Sequence, residues 1–428
     1  MRFIDLTAVT EDRWGTQFDR RYLPSDLLVR QVADILSRIR VNGDAALVDF
    51  IRRFDCPGME SGELRIDQEE TIAARNHLPP KFKEALTTAK RNVQEFAERS
   101  RRIDWEFKNR QGARVGERFF PICRVGIYVP AGTAPLISSA IMTVAIAQAV
   151  GVREIVAVSP VSKSKKMEPA LLAALDLAGA TEIYKVGGAH AIGALAFGTE
   201  SIRQVDKIFG PGNAFVTEAK RQVFGYVGID LLPGPSEILV IADDSADPAW
   251  VAADLLAQAE HGAGTVVAVV SWNREILQRV QTEVAAALPK LSRKEYLEGV
   301  LSERAYAVLT SDREQAIRFA NAFAPEHLAL MIREAREAAS QFSTAGAIFV
   351  GNYSAVAAGD FVAGPSHVLP TGGAAKSFGG LTADLFQRRA SVLEFDEAAL
   401  KQSLPYVVSF SEAEKLDAHG ASVRRRFE

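Results

Sequence analysis

Short apolar runs that alternate with helix-like stretches constrain the fold of this chain more than any other feature. One series starts with CRVGIYV at residues 123–129 and continues with EIVAVS, EIYKV and VDKIF. A second series starts with EILVIAD at residues 237–243 and continues with TVVAVVS, YAVLTS and AIFVG. Strands that alternate with helices form parallel sheets whose faces are covered by helices. The sequence therefore predicts an α/β protein with two parallel-sheet units.

The segments around these two series predict a helical N-terminal region and a small C-terminal appendage. Between residues 25 and 101, apolar residues such as Leu28 and Val32 fall at helical spacing, and Ser25 is suited to cap the first helix. The prolines and glycine of PGPSE, residues 233–237, favour an extended junction between the two units. After about residue 373 the pattern weakens, so the last fifty or so residues must dock on another part of the protein.

The charge balance excludes a strongly basic nucleic-acid-binding chain. The 428 residues include 50 Lys and Arg against 53 Asp and Glu, and this net charge of -3 gives no field that attracts phosphate backbones or anionic membranes. The most apolar run, residues 136–152, contains four polar residues and predicts a buried helix rather than a membrane span of about 20 residues. We therefore expect a small-molecule partner, with no nucleic acid and no membrane.

The cysteine count and the N-terminal residues indicate the compartment and the type of metal site. Only Cys56 and Cys123 are present, which is too few for a disulfide framework or for a zinc site built of thiolates. The first 15 residues carry five charges and lack the apolar core of a signal peptide. We expect a cytoplasmic protein in which nitrogen and oxygen atoms bind any metal.

Candidate metal ligands of this kind occur in three separate segments. Gln258 and His261 are three residues apart at the end of a predicted helix, which places them on one face. Asp360 lies in AAGDFVAGPSHVLPT and His419 in EAEKLDAHG, and the four residues together could bind Zn²⁺ or another divalent ion. Taken singly, each has an ordinary interpretation: an unrelated helix pair, a turn-forming aspartate and a surface histidine.

The adjacent residues Glu326 and His327 are candidates for acid–base catalysis. Both groups can be tuned towards neutral pH, which suits proton abstraction from an alcohol and activation of water. Because neighbours on a regular helix diverge by about 100°, we predict that the pair lies at a helix start, with Pro325 in the first turn. The alternative is a surface charge beside a structural histidine.

Three glycine-rich loops follow predicted strands and are candidate cofactor-binding loops. They are PAGTAP at 130–135, GGAHAIG at 187–193 and GPGNAF at 210–215. Each leads into a helix whose free N–H groups could bind an anion or a nucleotide phosphate. None matches the dinucleotide fingerprint G-x-G-x-x-G, so the loops can equally be tight turns between strand and helix.

The order of longer motifs resembles the histidinol dehydrogenase family from end to end. The motifs are VNGDAALVDFIRRFD, RVGIYVPAGTAP, IFGPGNAFVTEAKRQV, DLLPGPSEILVIAD, LLAQAEHG, FAPEHL, AGDFVAGPSHVLPT and EAEKLDAHG. This resemblance implies a zinc-dependent, NAD-linked enzyme of the cytoplasm. It is expected to oxidise L-histidinol through L-histidinal to L-histidine, the last step of histidine biosynthesis, and to reduce two NAD.

The resemblance also implies a role for each matching residue. One zinc ion per subunit is expected on Gln258, His261, Asp360 and His419. The substrate is expected to contact these ligands and also Ser236, His327 and Glu414. His327 would take the alcohol proton and Glu326 would activate water. NAD would contact Tyr128, His190 and Asn213.

The fold implied by the resemblance contains two incomplete Rossmann-like parallel-sheet domains, a helical N-terminal region and a small C-terminal tail domain. The expected division is an arm at 1–24, a larger discontinuous α/β domain at 25–127 with 236–375, a second Rossmann-like domain at 128–235 and a dimerisation tail at 376–428. The family forms an intertwined homodimer with shared active sites. Glu414 and His419 would then reach the site of the partner subunit.

Two departures from the family pattern concern the cofactor. Position 190 is usually Gln and is His here, and Ala131 lies in a loop that often reads Pro-Gly-Gly.

Two other functions remain open. One alternative is a paralogous zinc- and NAD-dependent dehydrogenase of another small alcohol, such as a sulfonated diol, although Glu414 would repel a sulfonate. The other is a catalytically silent homologue that serves as a binding or assembly protein, which the complete set of ligands disfavours.

Overall fold

Three sheets and the helices around them make up the architecture. The computed structural model describes residues 1–14, 18, 20, 23–131 and 135–428. In chain order, its strands are β1 Arg2–Asp5, β2 Trp105–Lys108, β3 Arg114–Pro121, β4 Arg124–Tyr128, β5 Glu154–Val158, β6 Glu182–Tyr184, β7 Lys207–Phe209, β8 Gly228–Ile229, β9 Glu237–Ala242, β10 Val266–Ser271, β11 Ala305–Leu309, β12 His327–Met331, β13 Ala347–Val350 and β14 Gln387–Glu394.

The helices surround these sheets and mostly connect consecutive strands. They are α1 Asp26–Phe54, α2 Gln68–His77, α3 Pro80–Ser100, α4 Ile137–Val150, α5 Pro169–Ala178, α6 Gly188–Phe197, α7 Ala214–Val223, α8 Pro248–Ala259, α9 Arg274–Ala287, α10 Lys294–Glu303, α11 Arg313–Phe323, α12 Ala335–Ala338, α13 Val356–Phe361, α14 Glu397–Ala413 and α15 Asp417–Arg424. Ser25 caps α1 by accepting a hydrogen bond from the backbone of Leu28, as predicted. In the described part of the chain, no helix has the length and apolar character needed to cross a membrane.

The two parallel sheets share one strand order. The five-stranded sheet is ordered β6-β5-β4-β7-β8, and the six-stranded sheet is ordered β1-β11-β10-β9-β12-β13. Numbered within its own unit, each sheet has the order 3-2-1-4-5, which is the Rossmann order without its last strand. The second sheet gains β1 at its edge, so part of the predicted N-terminal arm is a strand. The prediction of two incomplete Rossmann-like units is confirmed.

The N-terminal helices pack on the five-stranded sheet. Buried residues of α1 and α3 belong to the same apolar core as β4, β5 and the helices α4 to α7. The predicted division differs from this packing, because it grouped residues 25–127 with the six-stranded sheet and placed its boundary inside β4. Helical periodicity shows which face of a helix is apolar, but it does not show which sheet covers that face.

The C-terminal segment contains a strand that the sequence analysis did not predict. Strand β14 pairs with β3 along its whole length, and β2 pairs with the other edge of β3, in an antiparallel sheet. Helices α14 and α15 follow and pack against each other. The strand is hard to recognise because it is half-buried or exposed throughout and lacks the clean alternation of a half-buried strand.

Candidate active site

The pair Glu326 and His327 lies at the start of a buried strand rather than at the predicted helix start. Helix α11 ends at Phe323, and Ala324 adopts a left-handed conformation with φ 52° that turns the chain away from the helix. His327 is the first residue of β12, whose five residues are all buried. A strand buried on both faces reads as one short apolar run, which periodicity cannot distinguish from a helix.

Three oxygen-bearing groups surround the His327 ring, which is 3% exposed. Its Nδ1 donates a hydrogen bond of 2.9 Å to the carbonyl oxygen of Glu237 and lies 3.4 Å from Oε2 of Glu326. Its Nε2 lies 3.6 Å from Oδ1 of Asp360 and has no hydrogen-bond partner among the described residues. Burial disfavours the charged ring, but the two carboxylates outweigh it and raise the pKa of His327 to about 10.

Glu326 is fixed by the backbone of the neighbouring strand. Its Oε2 accepts a hydrogen bond of 2.7 Å from the N–H of Glu237, the first residue of β9. The carbonyl of Glu326 accepts a hydrogen bond from Ala347 on the opposite side. A Cβ atom on Gly346 would lie 2.6 Å from that carbonyl oxygen, so only glycine fits there without displacement. Glu326 is therefore held on both sides, with its carboxylate bonded to β9 and its main-chain carbonyl bonded to β13.

Of the four predicted metal ligands, Asp360 contacts His327, and Gln258 and His261 lie together at the end of α8. Gln258 lies in the last turn of α8, is 2% exposed and has an Nε2 with no hydrogen-bond partner among the described residues. His261 is exposed one turn later, and its N–H bonds to the carbonyl of Gln258. Burial raises the pKa of Asp360, but His327, His367 and His261 outweigh it and lower that pKa, so all three rings lie within electrostatic range.

The fourth predicted ligand lies elsewhere in the same chain. His419 and Glu414 line a cleft of about 420 Å³ in the C-terminal tail, together with Gln111, Ser403, Tyr406, Val407, Phe410, Ser411 and Leu416. None of these residues belongs to the six-stranded sheet. Within the described ranges, no group of three or more His, Cys, Asp or Glu has the arrangement of a metal site. One chain thus does not bring the predicted ligands together.

The predicted cofactor residues lie at the carboxyl edge of the five-stranded sheet. The strand order reverses between β4 and β7, which is where open α/β sheets bind ligands. Tyr128 ends β4, and Asn213 caps α7 by accepting hydrogen bonds from two backbone N–H groups. A Cβ on Gly210, whose φ is +108°, would lie 2.1 Å from the carbonyl oxygen of Tyr128, so glycine is required there. Residues 132–134 of the loop PAGTAP lie outside the described residues.

His190 is buried between two helices and is 2% exposed. Its ring stacks on Phe50 with centroids 6.0 Å apart, and Nε2 lies 3.3 Å from Oδ2 of Asp55. The hydroxyl of Tyr128 accepts a hydrogen bond from the N–H of Gly188, and burial raises the pKa of Tyr128 to about 12. The contacts with Phe50 and Asp55 therefore hold the buried ring of His190 against α1.

His367 is a site residue that the sequence analysis did not select. Its Nδ1 donates to the carbonyl of Asp360 at 2.9 Å, and its Nε2 lies 3.1 Å from the hydroxyl of Ser139 in α4. Burial is the main cause of the lowered pKa of His367, which favours the neutral ring. The ring therefore links the segment of Asp360 to the helix that follows the PAGTAP loop. Its position seven residues after Asp360, among glycines and prolines, was the available signal.

The site of the six-stranded sheet lies at the amino ends of β9 and β12. Ser236, which immediately precedes β9, is half-buried at this edge, and its carbonyl accepts a hydrogen bond from Val266. At the opposite edge, the carboxylate of Asp243 accepts hydrogen bonds from Ser245 and from the backbone of Arg333. Asp243 is thus hydrogen-bonded within the protein, whereas Glu326 and His327 lie at the amino end of the sheet.

Comparison with known proteins establishes the family. The family model for histidinol dehydrogenase matches residues 19–427. The chain belongs to the histidinol dehydrogenase family. The histidinol dehydrogenase of Geobacillus kaustophilus is 41% identical over 93% of this chain and 94% of its own length. That of Methanothermobacter thermautotrophicus is 40% identical over 95% of each chain.

A solved structure agrees with the architecture. The crystal structure of histidinol dehydrogenase from Elizabethkingia anophelis superposes with a TM-score of 0.95 and 34% identity, covering 100% of this chain and 98% of that chain. The two Rossmann-like sheets and the antiparallel sheet of β14, β3 and β2 therefore follow the fold of a histidinol dehydrogenase. The resemblance read from the motifs is confirmed.

Proposed function

We propose that this protein oxidises L-histidinol through L-histidinal to L-histidine in the last step of histidine biosynthesis, in the cytoplasm, and reduces two NAD. The observation that carries the proposal is the juxtaposition of His327, Glu326 and Asp360 at the amino edge of a sheet in a chain of this family. A buried imidazole between two carboxylates is suited to accept the proton of an alcohol hydroxyl group.

His327 is proposed as the proton acceptor for the alcohol. Because Nδ1 is bonded to the carbonyl of Glu237, the ring exchanges protons through Nε2. The carboxylate of Asp360 raises the pKa of His327, so a cation bound to Asp360 would lower that pKa and free Nε2 to accept a proton. Glu326, held by the N–H of Glu237, is proposed to activate the water that adds to the aldehyde.

A zinc ion, one per subunit, fits the donors that the chain presents. Gln258 carries a buried amide nitrogen that has no hydrogen-bond partner in the described part of the chain, and exchanging its amide O and N atoms would turn an oxygen ligand towards the same place. Gln258, His261 and Asp360 would bind the ion together with His419 of the partner subunit, and nitrogen and oxygen ligands suit zinc. When bound by these residues, zinc would supply Lewis-acid polarisation of the substrate.

NAD is proposed to bind where the strand order of the five-stranded sheet reverses. Tyr128, at the end of β4, and Asn213, at the start of α7, border this crevice. His190 lies beneath the adjacent loop and is proposed to shape it rather than to present an open surface. Ser236 lies on the connection between this crevice and His327, where the substrate must meet the cofactor.

The active site is proposed to be shared between two subunits of an intertwined homodimer. Glu414 and His419 line a separate cleft within their own chain. The same tail exposes large apolar side chains, with Tyr406 60%, Phe410 69% and Leu393 64% exposed. Exposed apolar patches of this kind mark contact surfaces. Docking of the tail on the partner would bring Glu414 to the substrate and His419 to the metal.

The test is the yield of NADH from a limiting amount of substrate. L-Histidinol should give two NADH per molecule, with L-histidine as the product. Other amino alcohols and a sulfonated diol serve as matched substrates and should be oxidised far more slowly. A plateau at one NADH with histidinal accumulating would contradict the two-step reaction, and faster oxidation of the sulfonated diol would contradict the substrate.

A further inference from the structure

Glu237 contacts both proposed catalytic groups through its backbone. Its N–H donates to Oε2 of Glu326 at 2.7 Å, and its carbonyl accepts from Nδ1 of His327 at 2.9 Å. One peptide segment therefore determines the position of the carboxylate and the tautomer of the ring. Any displacement of residue 237 displaces both groups.

The side chain of Glu237 ties this peptide to two distant segments. It is 2% exposed, its Oε2 lies 2.8 Å from Nη1 of Arg20, and its Oε1 accepts a hydrogen bond of 3.1 Å from the N–H of Gly372. A buried carboxylate is stable only when it is paired and hydrogen-bonded. These two contacts fill that requirement from the N-terminal arm and from the segment after His367.

Arg20 in turn holds the segment that leads to the catalytic pair. Its guanidinium lies 3.4 Å from the ring centroid of Phe323 and also donates to the carbonyl of that residue. Phe323 ends α11, three residues before Glu326. Arg20 thus contacts the residue that positions the pair and the chain that carries it.

We propose that Arg20 and Glu237 act together as positioning residues, whose ion pair fixes the orientation of Glu326 and His327 in the reaction. This role rests on the proposed function of that pair. Neither side chain is expected to touch the substrate. Loss of the ion pair should therefore slow the chemical steps and leave substrate and metal binding nearly unchanged.

The test is a double-variant cycle with Arg20→Met, Glu237→Gln and the combination of both, measured at about pH 8. Each single variant should lower kcat at least about tenfold, because small misplacements of reacting groups carry penalties of this size. KM for histidinol should change by less than about twofold, and zinc content should not change. The double variant should lose no more than a single one, because one interaction is removed in every case. Arg20→Lys should restore most of the activity.

Two controls separate positioning from general stability. Arg274 forms an exposed ion pair with Asp5 at the sheet edge, and Arg274→Met should leave kcat unchanged. In protein labelled with ¹⁵N in histidine, the Nδ1–H signal of His327, assigned with His327→Gln, should broaden or shift in Arg20→Met. Unchanged kcat and an unchanged signal, or single effects that multiply in the double variant, would overturn the proposal. If the wild type does not oxidise histidinol, the proposed function fails, while the ring signal still tests the positioning.

Discussion

Nε2 of His327 lies 3.6 Å from Oδ1 of Asp360, so the proposed proton acceptor and a proposed metal ligand face each other. The ring is fixed at Nδ1 by the carbonyl of Glu237, and Nε2 is the atom that remains for chemistry. The adjacent Glu326 is oriented by a different bond, to the N–H of Glu237. The two groups are held by different backbone atoms of the same residue, and each has its own hydrogen bond, which suits them to separate steps.

The two half-reactions should therefore respond differently to substitutions in this pair. His327→Ala should slow the oxidation of histidinol by about 10²- to 10⁴-fold, the usual contribution of a general base. Glu326→Gln should mainly slow the oxidation of supplied histidinal. The measurement is single-turnover formation of NADH from each substrate. Equal losses in both half-reactions for both variants would contradict this division of roles.

A shared site should be recoverable from two inactive variants. Subunits with His261→Ala and subunits with His419→Ala each lose a ligand, but a mixed dimer contains one site with both histidines intact. After joint unfolding and refolding, random pairing should restore about a quarter of the wild-type activity and zinc content. Mixing His261→Ala with Asp360→Ala is the matched control and should restore nothing, because both ligands come from the same chain. Dimers without recovery in the first mixture would show that His419 does not serve the partner.

The buried ion pair beneath the cofactor crevice should be important for stability. Lys220 and Asp230 are 1% and 0% exposed, and both also bond to Gly210 in the GPGNAF loop. Lys220→Met should lower the free energy of unfolding by about 3–5 kcal/mol, because it leaves a buried carboxylate without a partner. It should also weaken NAD binding. Combining it with Asp230→Leu should regain much of the stability in urea unfolding, and a stable single variant would contradict the argument.

Glu237 should make the folded state less stable as the pH rises. Burial raises the pKa of Glu237 from 4.5 to about 7, with Arg20 opposing the shift and Glu326 adding to it. The folded protein then retains a proton that the unfolded chain releases, so stability falls between these two pKa values. The loss across that window is about 3 kcal/mol. Urea unfolding at pH 5 and pH 8 should show a smaller loss in Glu237→Gln than in the wild type, and identical losses would refute the assignment.

Eight strands of the two parallel sheets could be predicted from the sequence, whereas β1, β8 and β12 could not. Runs such as EILVIAD and TVVAVVS are bounded by turn residues, and each forms a strand. The sequence predicts a helix start around His327, because neighbouring side chains diverge by about 100° on a regular helix and Pro325 fits a first turn. The burial of this segment between β9 and β13 is a tertiary property that local spacing does not express.

The site could be predicted residue by residue only where a motif supplied the expectation. Gln258 and His261 share a helix end, so their proximity follows from spacing alone. The approach of Asp360 to His327 depends on the packing of α13 against the sheet, and the role of Arg20 depends on a contact across more than 200 residues. His419 lies outside this site in its own chain, and no spacing rule predicts a contact with a second subunit.

The connection at residues 230–236 runs from the carboxyl edge of one sheet directly into the amino edge of the other. The carbonyl of Pro233 accepts a hydrogen bond from Thr217 in α7, and the N–H of Gly234 donates one to Thr371. Both parts of the chain therefore fix this short stretch. The length of this connection therefore determines the position of one parallel-sheet unit relative to the other. Surface loops usually tolerate insertions. One extra residue here would leave every strand and helix intact, but it would shift β9 relative to the cofactor crevice. We expect the lowest tolerance to length variation in a segment that has no regular secondary structure.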